Sequence, residues 1–198
     1  MDKDFLHKVS ELFIENGAKT LTMDEIAREF SISKKTLYQN YANKEALLED
    51  VLKYNLDNII EKIAELDIKV ENAIERMFCR DEHIERAVES NNSLLIKQLI
   101  KYYPAIFNSH MLAFADKFVA VLEHNVQRGR EQGFYRKDFD AKVYASVFFQ
   151  VMMSYHNSMF IDTAEISMEK FRMVVMDFYM NAITTEKGKT ELKKYNLK

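Results

Sequence analysis

Thr22-Met-Asp-Glu-Ile-Ala-Arg-Glu-Phe-Ser-Ile-Ser-Lys-Lys-Thr-Leu-Tyr-Gln-Asn-Tyr-Ala-Asn-Lys44 is the stretch on which the fold turns. Thr22 and Glu25 have capping-box spacing: the Thr22 hydroxyl can accept from the Glu25 amide while the Glu25 carboxylate reaches back to the Thr22 amide. Leu21 and Ile26 flank the box as a hydrophobic staple. The spacing predicts a short helix over 23–30, whose first-turn acids Asp24 and Glu25 are favoured by the helix dipole. Ser33 caps a third helix, with Ile32 and Leu37 as its staple, and leaves only about three residues between the two. That is a tight helix-turn-helix. Ile26, Ala27, Phe30, Ile32, Leu37 and Tyr41 form its inner set. Lys34, Lys35, Thr36, Tyr38, Gln39 and Asn40 point outward, a set of donors and hydroxyls suited to base edges and phosphates.

Working outward, Phe5, Leu6, Val9, Leu12 and Phe13 share one helical face, and Asn16-Gly17 supplies a left-handed cap, so helix 1 is expected over 3–16. Asn43 is expected to cap a fourth helix whose first residue is Lys44 and whose buried face continues through Leu47, Leu48, Val51 and Leu52. A helix N-terminus with a lysine on it offers amide donors and positive charge to one phosphate.

The charge balance has to be read locally. The chain of 198 residues has a net charge of −3, and residues 1–50 carry seven Lys/Arg against ten Asp/Glu. Bulk charge therefore argues against nucleic acid, but from Phe30 to Lys44 there are three lysines and no carboxylate. Only four glycines and one proline occur in the whole chain, and period-2 alternation is absent, so an all-α fold is expected. The N-terminus lacks a basic region followed by an apolar run, so no signal peptide is expected. The most apolar stretch, 143–155, is interrupted by Ser146, Gln150 and Ser154 and is shorter than the roughly 20 residues of a membrane span. A soluble cytoplasmic protein without membrane association is expected. A single cysteine, Cys79, leaves no internal disulfide framework and fits a reducing compartment.

Leu12-Phe13, Gly17, Thr20-Leu-Thr-Met-Asp-Glu-Ile-Ala27 and Phe30-Ser-Ile-Ser-Lys-Lys-Thr-Leu-Tyr-Gln-Asn-Tyr-Ala-Asn-Lys-Glu-Ala-Leu-Leu48 together resemble the tetracycline-repressor (TetR) family of regulators. The match runs over residues 5–52 nearly without gaps, with Ile-Ala, Ser-Lys-x-Thr-Leu-Tyr and Asn-Lys-Glu-Ala-Leu at the family's spacings. Two positions depart from it. Ser31 stands where the family usually has Gly in the turn, so it must take up whatever backbone geometry the turn requires. Lys35 stands where a small residue is common, which should alter the base sequence read.

Beyond residue 55 the pattern stays helical, with segments expected near 45–64, 68–89, 92–103, 105–131, 140–160 and 168–183. Pro104 separates two helices or kinks one, and Gly129 and Gly133 bracket a helix end. The stretch from Glu131 to Ala141 looks like the family's loop before its penultimate long helix. The last two segments are apolar around most of their circumference, so both sides must be covered. In a domain of about 150 residues one side faces the internal core, and the other is expected to meet a second subunit. Val147, Phe148, Val151, Phe171, Val174, Val175 and Phe178 are the expected dimer contacts, and the resemblance implies a four-helix bundle of these same segments. The tail from Thr184, with five lysines and two glutamates, reads as a solvated or frayed end.

Nine of the eleven methionines follow residue 76, among many Phe and Tyr. Taken alone that composition reads as plain core; the resemblance implies an enclosed site for a small, largely apolar effector. Candidate lining residues are Phe78, His83, Tyr102, Tyr103, Phe107, Met111, Phe114, Phe118, Met152 and Tyr155. His7, His83, His110, His124 and His156 form no i, i+4 pair with a third ligand nearby, so no metal site is expected. No Gly-rich phosphate loop or nucleophile elbow exists, so no catalytic residues and no cofactor are expected.

These readings converge on an all-α DNA-binding transcriptional regulator. Residues 1–46 would form the helix-turn-helix domain, 47–184 a helical ligand-binding and dimerisation domain, and 185–198 a tail. As a homodimer it would place two copies of helix 3 in successive major grooves of a pseudo-palindromic double-stranded operator. Lys35, Thr36 and Gln39 would read sequence, while Thr22, Ser33, Lys34, Tyr38, Tyr41 and Lys44 position the backbone. The resemblance adds release by an effector, with helix 4 as the lever. The alternatives are a helical DNA-binding protein without an effector and a small-molecule enzyme on a helical scaffold.

Overall fold

The computed structural model describes residues 1–79, 94–155 and 160–195. His83, a candidate effector contact, and His156 lie outside the described residues. The structure divides into two compact units, Met1–Lys62 with Asp81–Phe114, and Ile63–Arg80 with Ala115–Lys198. It is all-α: among the described residues the only β-type pairing is an isolated bridge between Tyr135 and Thr184.

In the first unit each helix starts where a polar cap satisfies the free amides of its first turn. Helix α1 spans Lys3–Asn16; the Asp2 side chain accepts from the Phe5 amide at 3.0 Å. Helix α2, Met23–Glu29, carries the expected capping box, with Glu25 N donating to Thr22 Oγ1 at 3.2 Å and Thr22 N to Glu25 Oε2 at 2.8 Å. Helix α3, Lys34–Asn40, is capped by Ser33, whose Oγ accepts from the Thr36 amide at 3.0 Å. Helix α4 runs from Lys44 to Lys69, five residues further than its sequence pattern suggested, with Asn43 Oδ1 accepting from Ala46 N at 2.8 Å.

The turn between α2 and α3 answers the question raised by Ser31. Ile32 N donates to Ala27 O at 2.9 Å and Ser31 N to Arg28 O at 3.1 Å. That is a Schellman motif, which requires a left-handed residue at its centre. Ser31 supplies it with φ 52°, the one non-glycine residue with positive φ among the described residues. The helix Pro104–Glu131 ends in the same motif with Gly133 at φ 76°. An L side chain in that region costs on the order of 1 kcal/mol. Ser31→Gly is therefore expected to raise stability by about 1 kcal/mol, visible as a higher urea midpoint with unchanged m-value; an unchanged or lower midpoint would show that the serine is unstrained.

Phe13, Ile26, Leu37 and Leu47 are fully buried at the centre of this unit, with Phe5 edge-on to Phe30 at 5.2 Å and stacked on Tyr41 at 6.5 Å. The same core takes in Leu95 and Leu99 of helix α6, where α5 is Ala73–Phe78 and α6 is Leu94–Tyr102. Pro104 separates α6 from α7 (Pro104–Glu131) by standing as the first residue of the latter, where its missing amide costs nothing. The expected segment 68–89 is broken: α4 ends at Lys69 and Asn72 caps α5, accepting from Ile74 N and Glu75 N.

The second unit adds α8 (Ala141–Met153), α9 (Met168–Ile183) and α10 (Glu186–Leu192). The expected 140–160 helix stops at Met153, where Ser154 and Tyr155 turn the chain and the Tyr155 hydroxyl donates to Ile166 O at 2.6 Å. Tyr135 is buried against Gly129, whose position a Cβ would share with the tyrosine ring. The tail is not a frayed end through Tyr195. Thr185 caps α10, Gly188 lies against the Phe134 carbonyl, and Leu192 is buried. The surrounding lysines concealed these contacts. By length and mean hydropathy alone, 1.3 over its most apolar 18 residues, α7 has the dimensions of a membrane span, which the sequence reading had not assigned to it. Of that window 22% is buried, and Leu122, Asn125 and Val126 of the helix are buried in the second unit.

A polar seam crosses this unit. The Asp67 carboxylate receives Arg128 Nη2 at 2.8 Å and lies 2.7 Å from His124 Nδ1 and 3.8 Å from Arg76 Nε. Nearby, Tyr135 Oη and Asn125 Nδ2 both donate to Ala73 O, at 2.9 and 3.1 Å.

Burial, with the Asp50 carboxylate second, pushes the Tyr41 hydroxyl up to about 12, and burial also raises Tyr135 and Tyr179. The fold favours their protonated forms, so their stabilisation is complete below the ordinary tyrosine value and is lost as pH rises through the raised one. In an alkaline absorbance titration these three should ionise late and together with loss of helical circular dichroism. Ionisation of every tyrosine near pH 10 with the helices intact would contradict their burial.

Candidate nucleic-acid interface

Leu37 fixes α3 by its apolar side in the core it shares with α1, α2 and α4, so its remaining circumference faces outward. Leu37 is buried, while Ser33, Lys34, Lys35, Thr36, Tyr38, Gln39 and Asn40 are exposed, Tyr38 by 48%. Ser33 Oγ and Thr36 Oγ1 share a hydrogen at 2.7 Å, and Asn40 Nδ2 donates to Thr36 O at 2.8 Å, so the polar row is ordered. Thr22 is exposed at the start of α2, its hydroxyl donating to Glu25 at 2.8 Å. Lys44 Nζ donates to Leu21 O at 3.0 Å and to Lys19 O at 3.4 Å, tying the start of α4 to the loop before α2.

One expected backbone contact does not join this face. Tyr41 is only 5% exposed, its ring committed to Phe5, because residue 41 follows Leu37 by one turn on the inner side. One residue the sequence reading passed over does join it. Asp24 pairs with Lys34 across the helix-turn-helix. The window 30–44 lacks acids in sequence, but the tight turn brings the first turns of α2 and α3 together and places a carboxylate beside it.

The expected dimer residues split by orientation. On α8 and α9, Val147, Val174 and Phe178 are exposed by 52, 60 and 71%, with Val143 beside them at 54%. Phe148 and Val175 are instead buried beneath that face, Phe148 against Tyr179 at 4.5 Å. Val143, Val147, Phe148, Val175 and Phe178 line an apolar groove of about 270 Å³ that also touches Val151. Phe171 packs on Tyr155 at 5.2 Å.

The effector candidates fall in different places. In the first unit Tyr103 and Phe107 pack on the helix-turn-helix core, Phe114 is buried, Met111 is half-buried, and Tyr102 is exposed beneath Lys19 Nζ, 4.2 Å from its ring centre. In the second, Phe78 stacks on Tyr195 at 5.4 Å, Phe118 meets Phe149 at 5.2 Å, Met152 is half-buried and Tyr155 is buried. Among the described residues no group of three or more His, Cys, Asp or Glu is placed to hold a metal.

Residues 6–51 match the family described as "Bacterial regulatory proteins, tetR family". Over 54 residues the chain is 37% identical to the HTH-type transcriptional activator FasR of Mycolicibacterium smegmatis, a match covering 27% of this chain and about a quarter (25%) of that protein's length. A transcriptional regulator from Cytophaga hutchinsonii superposes with a TM-score of 0.74 at 16% identity, over 91% of this chain and 97% of that one. SmeT, the repressor of the Stenotrophomonas maltophilia multidrug efflux pump SmeDEF, superposes at 0.67 with 12% identity, over 94% and 92% of the two chains. SmeT is also known in complex with triclosan, matching at 0.63 with 14% identity over 92% and 90%. Identities this low speak to the fold alone. Residues 6–51 thus carry the sequence pattern of the tetR family of bacterial regulatory proteins, and along more than nine-tenths of its length the chain shares the fold of these solved structures.

Proposed function

We propose that the protein is a cytoplasmic transcriptional repressor that binds a pseudo-palindromic operator as a homodimer and releases it on binding a small, largely apolar effector. The observation that carries DNA binding is the exposed polar row on α3, held rigidly by caps on both sides of a short turn. Lys35, Thr36 and Gln39 sit on that row and read base edges, where a bidentate glutamine or lysine discriminates by about 1–3 kcal/mol. Thr22, Ser33, Tyr38 and the start of α4 hold phosphates. Residues 1–46 act as the reading head, 47–184 sense and dimerise, and 185–198 form the C-terminal tail, which closes on the second unit as far as Tyr195.

Dimerisation rests on the exposed strip Val143, Val147, Val174 and Phe178. A second copy is its natural occupant, since an isologous two-fold contact covers both helices of each chain with one apolar surface. The effector reading rests on the Met- and Phe-rich interior, and the triclosan complex of SmeT shows one protein of this fold holding a small aromatic molecule. Repression is the sign proposed, although FasR is named an activator.

Gel-shift binding to the region upstream of its own gene tests the reading. Wild type should form a discrete complex that weakens as salt rises. Gln39→Ala should lose about 10- to 100-fold in discrimination between that duplex and an unrelated one. Equal affinity of wild type for every duplex would refute sequence-specific regulation.

A further inference from the structure

We propose that Asp24 is a specificity-determining residue of the DNA-binding face, acting by withholding Lys34 from the phosphate backbone. The inference rests on the DNA-binding reading and deepens it. Lys34 is the first residue of α3 and lies on its exposed polar row, where a free ammonium would meet phosphates of any sequence. The Asp24 carboxylate, in the first turn of α2, pairs with its ammonium. Glu25, the next acid, is already occupied by both the amide and the hydroxyl of Thr22. Asp24 is therefore the carboxylate that faces the reading helix.

The consequence is electrostatic. Phosphate contacts supply nearly all sequence-independent affinity, whereas base edges supply selectivity. A lysine held by a carboxylate releases no counterion on binding, so the pair lowers affinity for all DNA alike while leaving Lys35, Thr36 and Gln39 free to read. The Lys34 and Asp24 side chains are 63% and 45% exposed, so the pair contributes little to folding and its removal should leave the helix-turn-helix intact.

The test uses the full-length chain and two labelled duplexes: one carrying a site that wild type selects from a random-sequence pool, and one unrelated. Asp24→Asn should tighten binding to the unrelated duplex and add one phosphate contact per subunit. For the dimer the drop in affinity between about 50 and 200 mM salt then deepens by about tenfold. Discrimination between the duplexes should narrow. In a Lys34→Ala background the same substitution should change neither slope nor discrimination, since the lysine it liberates is gone. An unaltered salt slope in Asp24→Asn, or an equal effect with and without Lys34, would overturn the inference while DNA binding itself stands. If wild type binds no duplex and selects no site, the DNA-binding reading falls and takes the inference with it.

Discussion

Phe178→Glu is expected to convert the protein to a monomer at micromolar concentration and to weaken operator binding by about three orders of magnitude. Phe178 projects from α9 with 71% of its surface exposed, one turn after Val174 and across from Val143 and Val147 of α8. Beneath them Phe148 and Val175 form an apolar floor. A carboxylate at the centre of such a contact would meet its own symmetry mate in a surface with no donor to receive it. Burying an uncompensated charge costs several kcal/mol, and about 4 kcal/mol corresponds to a thousandfold in affinity. In the proposed dimer each helix-turn-helix reads half of a palindrome, so the monomer loses the second half-site with it. Sedimentation velocity reads the first effect and gel shift the second. The substituted side chain is exposed in the single chain, so folding should be unaffected. A mutant that remains dimeric would move the interface away from this strip.

Asp67→Ala is expected to destabilise the second unit by about 3–5 kcal/mol, the cost of breaking a buried ion pair from one side. Asp67 is nine-tenths buried, and its carboxylate lies against Arg128 at 2.8 Å and near Arg76, both largely buried as well. Without it two guanidinium groups from α5 and α7 face each other across the end of α4 with no anion between them. Arg76 keeps its bond to Ile63 O at 2.8 Å and Arg128 its bond to Val70 O at 3.0 Å, so the loss is of charge compensation and not of every hydrogen bond. Asp67→Asn should recover part of it by retaining an acceptor. Urea unfolding followed by circular dichroism decides: a shift below about 1 kcal/mol for Asp67→Ala would mean that solvent screens the two guanidinium groups without the carboxylate.

Much of the reading head was legible because its signals are local. Capping boxes, staples and the Asn16-Gly17 stop operate within four or five residues, and α1 and α3 begin and α1 ends where such signals place them. Where a signal depended on a partner far along the chain it was invisible. Tyr41 has the outward chemistry of a phosphate contact, yet packing against Phe5 turns it inward. Phe148 and Val175 look like the neighbouring apolar residues in sequence, but only the packing of α8 on α9 tells floor from rim. Leu95 and Leu99 complete a core that the N-terminal helices do not close alone.

The sequence by itself determined that the chain is helical, where α1 to α3 begin, and that α3 presents lysines, hydroxyls and amides outward. Those properties follow from periodicity and from hydrogen bonds between near neighbours, which the chain carries wherever it folds. The tertiary structure alone decided which charges meet: Asp24 beside Lys34 across a turn held open by a serine in left-handed geometry, and Asp67 among Arg76, His124 and Arg128. Charge interactions depend on distance in space, and no spacing along a helical chain fixes that distance until the helices are packed.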